Sequence, residues 1–487
     1  MKKLILCATA LFFGTMAFAQ ISGAPEAQVV TPLAGTGGHM NAGESVQNGD
    51  DNAVRVRQAG TENSVYTEQD NGTGLGGNLA RIRQTGNVTG ISGFQNAAEV
   101  NQSGTANQAT IGTGGDLNNV IINQGQNNDA SANNKAKVKQ GGQHAESNYA
   151  AIVQDGDNNQ AQGSQGWDNN SMYTIQDGDD NKSMVVQSGG VQGSDGHEAL
   201  TYQLGEYNES SISQSGAGAT NRALANQIGD NNKSKQLQVT TAGIGMTGNQ
   251  GSVYQGYVGD VIGGPQDYPL FFSVLVDQVL PLDNFAGPIV ANNSSHAVAF
   301  QTQVGKEQRA NIDQYGGSED AYNYGEQEQA SGWGNDAYML QVQEGSKGNY
   351  AKQYQAGDNN EAGLAQYGSG HKSSQSQIGH RNNSMAMQQG EDNLLNTHQR
   401  GNDNYATSAQ RGIANATLIV QYGGNSYVAQ QNLDGLGGGG NQIDALQLGP
   451  NGNFYNDAIE CGFDDQMDPW MDYTVPGFEL DPICPDC

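Results

Sequence analysis

The stretch "QRGNDNYATSAQRGIANATLIVQYGG" runs from Gln399 to Gly424. Gln399, Gln410 and Gln421 stand eleven residues apart, and each has a glycine two places on: Gly401, Gly412 and Gly423. Asn404 and Asn415 each come five places after a glutamine, with a small residue, Ala406 or Thr417, two places later. A period of about eleven could be three turns of a helix. The composition rejects that, because every unit fixes a Gly and an Asn, both poor helix formers. A seven-residue strand from Asn to Gln followed by a four-residue turn, x-Gly-x-x, fits better. Glycine supplies the backbone freedom that a tight reversal needs.

The same spacing recurs along the chain. Gln355, Gln366, Gln377 and Gln388 lead up to Gln399 at intervals of eleven, and Gln154, Gln165, Gln176 and Gln187 form a second array. Gln203 with Gln214, and Gln303 with Gln314, make shorter ones. Gly178, Gly357, Gly379 and Gly390 occupy the turn place. Asn63, Asn107, Asn159, Asn170, Asn181, Asn208, Asn232, Asn360, Asn382 and Asn393 occupy the fifth place. About two dozen such units, some degenerate, lie between about Asn41 and Asn453.

Side chains alternate along a strand. One face therefore reads Asn404, Ala406, Ser408, Gln410, and in the next strand Asn415, Thr417, Ile419, Gln421. Asn208, Ser210, Ile212, Gln214 and Asn181, Ser183, Val185, Gln187 repeat the pattern. The other face is irregular: Tyr405, Thr407, Ala409 in one strand and Glu209, Ser211, Ser213 in another. Regularity marks the face that meets a fixed environment, so the Asn-to-Gln face is expected inside. A buried amide is costly unless its donors and acceptors are paired. Stacked identical strands solve this, each amide bonding to the same amide above and below at a repeat of about 4.8 Å. The expected fold is all-β: a β-solenoid of stacked strand-turn-strand rungs, each of about 22 residues in two half-repeats of eleven, with an irregular insert and tail. Roughly a dozen rungs would make a rod of the order of 60 Å whose ends are open strand edges.

The bulk composition agrees. Among 487 residues there are 70 Gly, 21 Lys plus Arg and 50 Asp plus Glu, a net charge of -29. Leu, Ile, Val and Phe make up under about a fifth of the chain, the profile of a chain without a large oil-like core. A disordered acidic matrix polymer is the competing reading. The acidic balance argues against nucleic acid and anionic membrane surfaces, which need clustered Lys and Arg.

Seven units in strict register resemble the curlin repeat of bacterial curli subunits, Gln-x-Gly-x-x-Asn-x-Ala-x-x-x-Gln. Gln399 to Gln410 fits at every fixed place, Gln410 to Gln421 fits with Thr417 for Ala, and Gln355 to Gln366 fits with Gly357, Asn360 and Ala362. The resemblance covers about two thirds of the chain in two blocks. It implies a secreted subunit that self-assembles into extracellular amyloid fibres of biofilm matrix and cell adhesion. Its implied partners are itself, other curli-like subunits and an outer-membrane export pore. The chain is longer than such subunits usually are, and its spacing slips between Gln214 and Gln227 and between Gln343 and Gln355. A fibre nucleator or anchor, or a monomeric β-solenoid surface adhesin binding a surface or partner protein, is therefore the alternative.

The expected layout follows. Residues 1–19 read as a secretory signal peptide, with a basic "MKK", an apolar run and an A-x-A site at Ala17-Phe18-Ala19. No later run approaches the roughly 20 apolar residues of a membrane span. Residues 20–40 are a flexible leader, or an address for the export pore as the resemblance implies; 41–238 are repeat block 1; 239–294 are a non-repeat apolar insert; 295–453 are repeat block 2; 454–487 are an acidic tail. The insert, with "YPLFFSVLVDQVLPL", is a strand pair covering the rod, a docking element, or a loop packing on the solenoid. The tail carries Cys461, Cys484 and Cys487, candidates for a disulfide or for crosslinks between subunits. "CPDC" is half of a zinc site and lacks its second pair, so no metal site is assigned. The tail is also a candidate cap for one end of the rod.

"QDGDDN" (Gln176 to Asn181) and "QDGDNN" (Gln154 to Asn159) look faintly like calcium loops, but their aspartates sit at turn places that favour Asp anyway. The histidines have no triad or ligand spacing, and no nucleotide fingerprint is present, so no enzyme activity and no cofactor are expected. Outward aromatics such as Tyr367, Tyr405 and Tyr422 are expected either to stack across rungs or to bind dyes, glycans or surfaces.

Overall fold

In the computed structural model, the residues described run from 41 to 448, apart from 61, 72–75, 86–94, 126–130, 142–144, 190–195, 217, 242–246, 257–293 and 432–439. The signal, leader and tail, with all their cysteines, and most of the insert lie outside them. Every described element longer than a turn is a strand. Contacts divide the chain into an N-terminal unit, built on Ile21–Asn226 with Gln236–Gly248, and a C-terminal unit, built on Gln227–Lys235 with Asn249–Val475.

Each unit is a parallel β-solenoid. In the N-terminal unit successive strands alternate between two sheets. Ala42–Asn48, Ser64–Asp70 and Ala97–Ser103 begin the first sheet, and Ala53–Ala59, Leu79–Thr85 and Gln108–Gly114 begin the second. Each of these strands thus pairs with the one two places further on. The C-terminal unit repeats the scheme: Asp336–Gln343, Glu361–Ser369, Asn383–Glu391 and Tyr405–Ile413 share one sheet, and Tyr350–Ala356, Lys372–His380, Leu394–Asn402 and Ala416–Tyr422 share the other. Parallel pairing is forced by the repeat. A two-residue hairpin would reverse the chain, whereas here the chain crosses to the facing sheet and returns one rung further on.

The register keeps like residues in columns. Gln377 stands over Gln399 and Gln399 over Gln421. The turn of the solenoid is 22 residues in these rungs but averages about 25. The expected 22 is the length of the regular rungs. Extra residues enter at the corners, as between Gln341 and Gln366, 25 residues apart, where six residues separate Asp336–Gln343 from Tyr350–Ala356.

Between the sheets lies a thin core. Ile82, Ile111, Ile122, Ile152, Met172 and Val185 line it in the N-terminal unit, and Ile312, Met339, Leu364 and Leu395 in the C-terminal one. Each such side chain contributes about 1.5–3 kcal/mol on burial. Large meets small across the gap: a Cβ on Gly163 would lie 2.3 Å from Met172 Sδ, so glycine makes the room that Met172 fills.

One part of the expected layout changes. Thr247–Gln255, inside the span read as a non-repeat insert, is a strand of the solenoid paired with Arg309–Tyr315. Asn249 and Gln255 keep the Asn-to-Gln interval of the repeat. The irregular distance to their neighbours is what concealed them.

Candidate functional site: amide ladders and end turns

The regular glutamines meet one another. In the N-terminal unit Gln154 Nε2 donates to Gln176 Oε1 at 2.8 Å and Gln176 to Gln203 at 2.8 Å. On the facing sheet Gln165 donates to Gln187 and Gln187 to Gln214, both at 2.9 Å. In the C-terminal unit one ladder runs Gln355, Gln377, Gln399, Gln421 and the other Gln366, Gln388, Gln410, with bonds of 2.8–2.9 Å. All are buried. The second Nε2 hydrogen crosses the core to a main-chain oxygen of the opposite sheet, as from Gln165 to Tyr149 O at 2.8 Å and from Gln377 to Glu361 O at 2.8 Å. Each glutamine thus joins rung to rung and sheet to sheet.

The asparagines form the expected amide-to-amide ladder, as Asn382 Nδ2 donates to Asn360 Oδ1 at 3.0 Å and Asn404 Nδ2 to Asn382 Oδ1 at 2.9 Å, and they add main-chain bonds to it. Asn181, Asn382 and Asn415 donate their main-chain N–H to the Oδ1 of the asparagine one rung back, Asn159, Asn360 and Asn393, at 3.0–3.1 Å. Asn170, Asn208 and Asn404 do the same with Asn148, Asn181 and Asn382. The Nδ2 of many then reaches forward to the next turn glycine. Asn159 donates to Gly178 O at 2.6 Å and Asn382 to Gly401 O at 2.8 Å. The side chain satisfies corner backbone that no strand reaches.

All seven turn glycines singled out above, Gly178, Gly357, Gly379, Gly390, Gly401, Gly412 and Gly423, have positive φ. At Gly379, with φ +124°, a Cβ would lie 2.0 Å from Gly401 O. The sequence reading missed a second left-handed place, just before the asparagine: Asn158, Asn169, Asp180, Asn359, Asp392 and Asp403 have φ between 53° and 60°. The Asn and Asp preference there is its signal.

The aspartates of the calcium-like loops are turn stitches. Asp157 Oδ1 accepts Ala132 N–H at 2.7 Å and Asp179 Oδ1 accepts Asp157 N–H at 2.7 Å. No group of three or more His, Cys, Asp or Glu among the described residues is placed to hold a metal ion.

Two histidines stand in for asparagine. His371 N–H donates to Asn349 Oδ1 at 3.1 Å, and His371 Nδ1 accepts Asn393 N–H at 3.4 Å. His371 Nε2 lies 2.9 Å from Tyr367 O, which only accepts, so that nitrogen carries the proton. His197 likewise donates to Asn170 Oδ1 and accepts Asn221 N–H at 3.2 Å. Burial lowers both pKa values to about 4.

Of the named aromatics, Tyr405 is exposed, Tyr367 half-buried and Tyr422 buried with its ring edge-on to His398. Tyr324 and Tyr350 stack across rungs at 5.0 Å.

The glutamine bonds have one direction: the donor belongs to the earlier rung and the acceptor to the later. The first described turn therefore presents Gln47 and Gln58 with their Oε1 side toward the edge, since their Nε2 groups donate inward to Gln69 and Gln84. The last presents Gln431 and Gln447 on the donor side, their Oε1 atoms accepting from Gln410 and Gln421. No family model matches the chain, and no curated protein matches it.

Proposed function

We propose that this chain is a structural subunit that polymerises end to end into an extracellular β-fibre, as its likeness to curli subunits implies. One observation carries the reading: the two end turns are complementary in register and in hydrogen-bonding sense. With Ser426–Gln431 under Ala42–Asn48 of a second copy, Gln431 falls under Gln47 and Asn425 under Asn41. With Gln442–Leu448 under Ala53–Ala59, Gln447 falls under Gln58 and Asn441 under Asn52. Donors meet acceptors in all four columns, and both sheets continue. Open parallel edges are templates for this kind of addition. The interface is heterologous, so it repeats without closing unless rotation brings the ends together.

The test is to refold the mature chain from denaturant, follow growth by electron microscopy with and without sheared seeds, and take fibre diffraction. Seeded growth with a meridional reflection at about 4.7–4.8 Å is expected. Stable β-rich rods that never elongate would replace this reading with the adhesin, and a chain without β signal would replace it with the disordered polymer.

A further inference from the structure

The net charge of -29 conceals a face of the opposite sign. In the second sheet of the N-terminal unit, Ala53–Ala59 sends Arg55 and Arg57 outward, and Leu79–Thr85 stacks Arg81 and Arg83 directly on them. Gln108–Gly114 follows with Thr110 and Gly112, and Lys135–Gln140 continues the columns with Lys137 and Lys139, Lys135 lying over Gln108. These four strands contain no Asp or Glu, yet they hold seven of the chain's 21 Lys and Arg. Arg57, Arg83, Lys135 and Lys139 are exposed.

The first sheet of the same unit carries the complement. Ala42–Asn48, Ser64–Asp70 and Ala97–Ser103 contain Glu44, Glu68, Asp70 and Glu99 and no Lys or Arg. Glu44, Glu68 and Asp70 are exposed. Their side chains point away from the core, as Val65, Thr67 and Gln69 between them point into it. One face of this unit is thus basic and the opposite face acidic.

We infer that the basic face docks on the acidic first-sheet face of a second copy, joining solenoids side by side. Both faces belong to one solenoid, so their charges repeat at the same spacings, about 4.8 Å from rung to rung and about 6.7 Å along a strand. Matched periods let many weak pairs form together without distorting either rod. A free polyanion is the less favoured occupant, because the rest of the molecule repels it. Elongation uses the backbone edge and inner amides of the end turns, whereas this surface is the outward side of the strands. It stands whether or not rods elongate, and in a fibre it would set how neighbouring fibres bundle.

The experiment uses three full chains: wild type; a base-reversed variant with Arg57→Glu, Arg83→Glu, Lys135→Glu and Lys139→Glu; and an acid-reversed variant with Glu44→Lys, Glu68→Lys and Asp70→Lys. Lateral association is read at 20 mM and 500 mM NaCl, as bundle width in micrographs where chains elongate and as sedimentation where they do not. Wild type is expected to associate at low salt and to separate at high salt, where screening is complete within a few ångström. Each variant alone should associate at least tenfold less, and mixing the two should restore association. Association that survives either reversal, or a mixture that stays apart, overturns the inference. Retained self-association combined with base-reversal loss of binding to added DNA or anionic polysaccharide would assign the face to a polyanion instead.

Discussion

The N-terminal and C-terminal units share an inner face and differ in the outer one. In the N-terminal unit, strands such as Gln160–Gly166 and Ser171–Asp177 alternate strictly between buried and half-buried residues, with a small buried outer cluster at Ala97, Ile121 and Ala151. In the C-terminal unit, Asp336–Gln343, Asn383–Glu391 and Tyr405–Ile413 have runs buried on both faces. There Leu340, Val342, Met385, Met387, Thr407 and Ala409 lie on the outer side and are each under 10% exposed. Thr407 and Ala409 belong to the face the sequence reading took as irregular and outward. The difference shows that the amide code fixes the rung, while the outer face is free to be charged, as around Arg83, or apolar, as around Met387.

The largest expected effects leave that difference untouched, because they strike what the units share. Gly178→Ala and Gly379→Ala would each place a Cβ within 2.0–2.2 Å of a carbonyl oxygen at positive φ. Each should cost more than about 3 kcal/mol in denaturant unfolding. Gly112→Ala, on an outer face with no atom within 4 Å of the new Cβ, should stay within about 0.5 kcal/mol. The next pair separates the units. Met387→Lys should cost about 2–4 kcal/mol, because it buries an unpaired charge. Val186→Lys, half-buried in the N-terminal unit, should cost well under 1 kcal/mol. Equal costs would erase the distinction.

Acid sharpens it further. The folded pKa values of His197 and His371, about 4, lie below the ordinary 6.5. Between those values the unfolded chain binds more protons, so stability falls as pH falls. His197→Asn and His371→Asn, which restore the residue of the repeat, should each remove part of that loss, at most about 3 kcal/mol. The C-terminal unit carries an opposing group. Burial first, then the neighbouring Asp336, raises Glu361 from 4.5 to about 7. The folded chain then binds more protons over that range, and stability rises as pH falls. Glu361→Gln should therefore stabilise by about 1–2 kcal/mol at pH 8 and change little at pH 4, read from urea midpoints. The smallest effect is at the exposed pair Arg381 and Asp403: Asp403→Asn, which the left-handed turn place accepts, should leave the melting temperature unchanged.

The ladder was legible because burying an amide demands strict spacing, and strict spacing is visible in sequence. Their spacing alone puts Gln377, Gln399 and Gln421 over one another. The asparagines' bonds to backbone were not legible, because Asn382 Oδ1 also accepts the Asn404 main-chain N–H and Asn382 Nδ2 also donates to Gly401 O, and backbone leaves no side-chain pattern. His371 sits five places after Gln366, where asparagine belongs, and so was readable from the same rule. The basic face escaped because net charge averages it away. "RVR" and "KAKVK" show it only once alternate residues are assigned to one side. Burial of the outer C-terminal face depends on what packs on it, which spacing within a strand cannot say.

The most direct measurement is seeded growth of an edge variant, Val428→Pro with Leu446→Pro. By the alternation of a parallel strand, these residues point their N–H groups away from the rung below, since Asn425 and Asn441 point their carbonyls toward it. Proline removes those outward donors and is tolerated on an edge strand. Variant chains should add to wild-type seeds once and then stop, with wild-type chains extending the same seeds in parallel. Variant chains that elongate as fast as wild type would contradict polymerisation through the amide-laddered end turns.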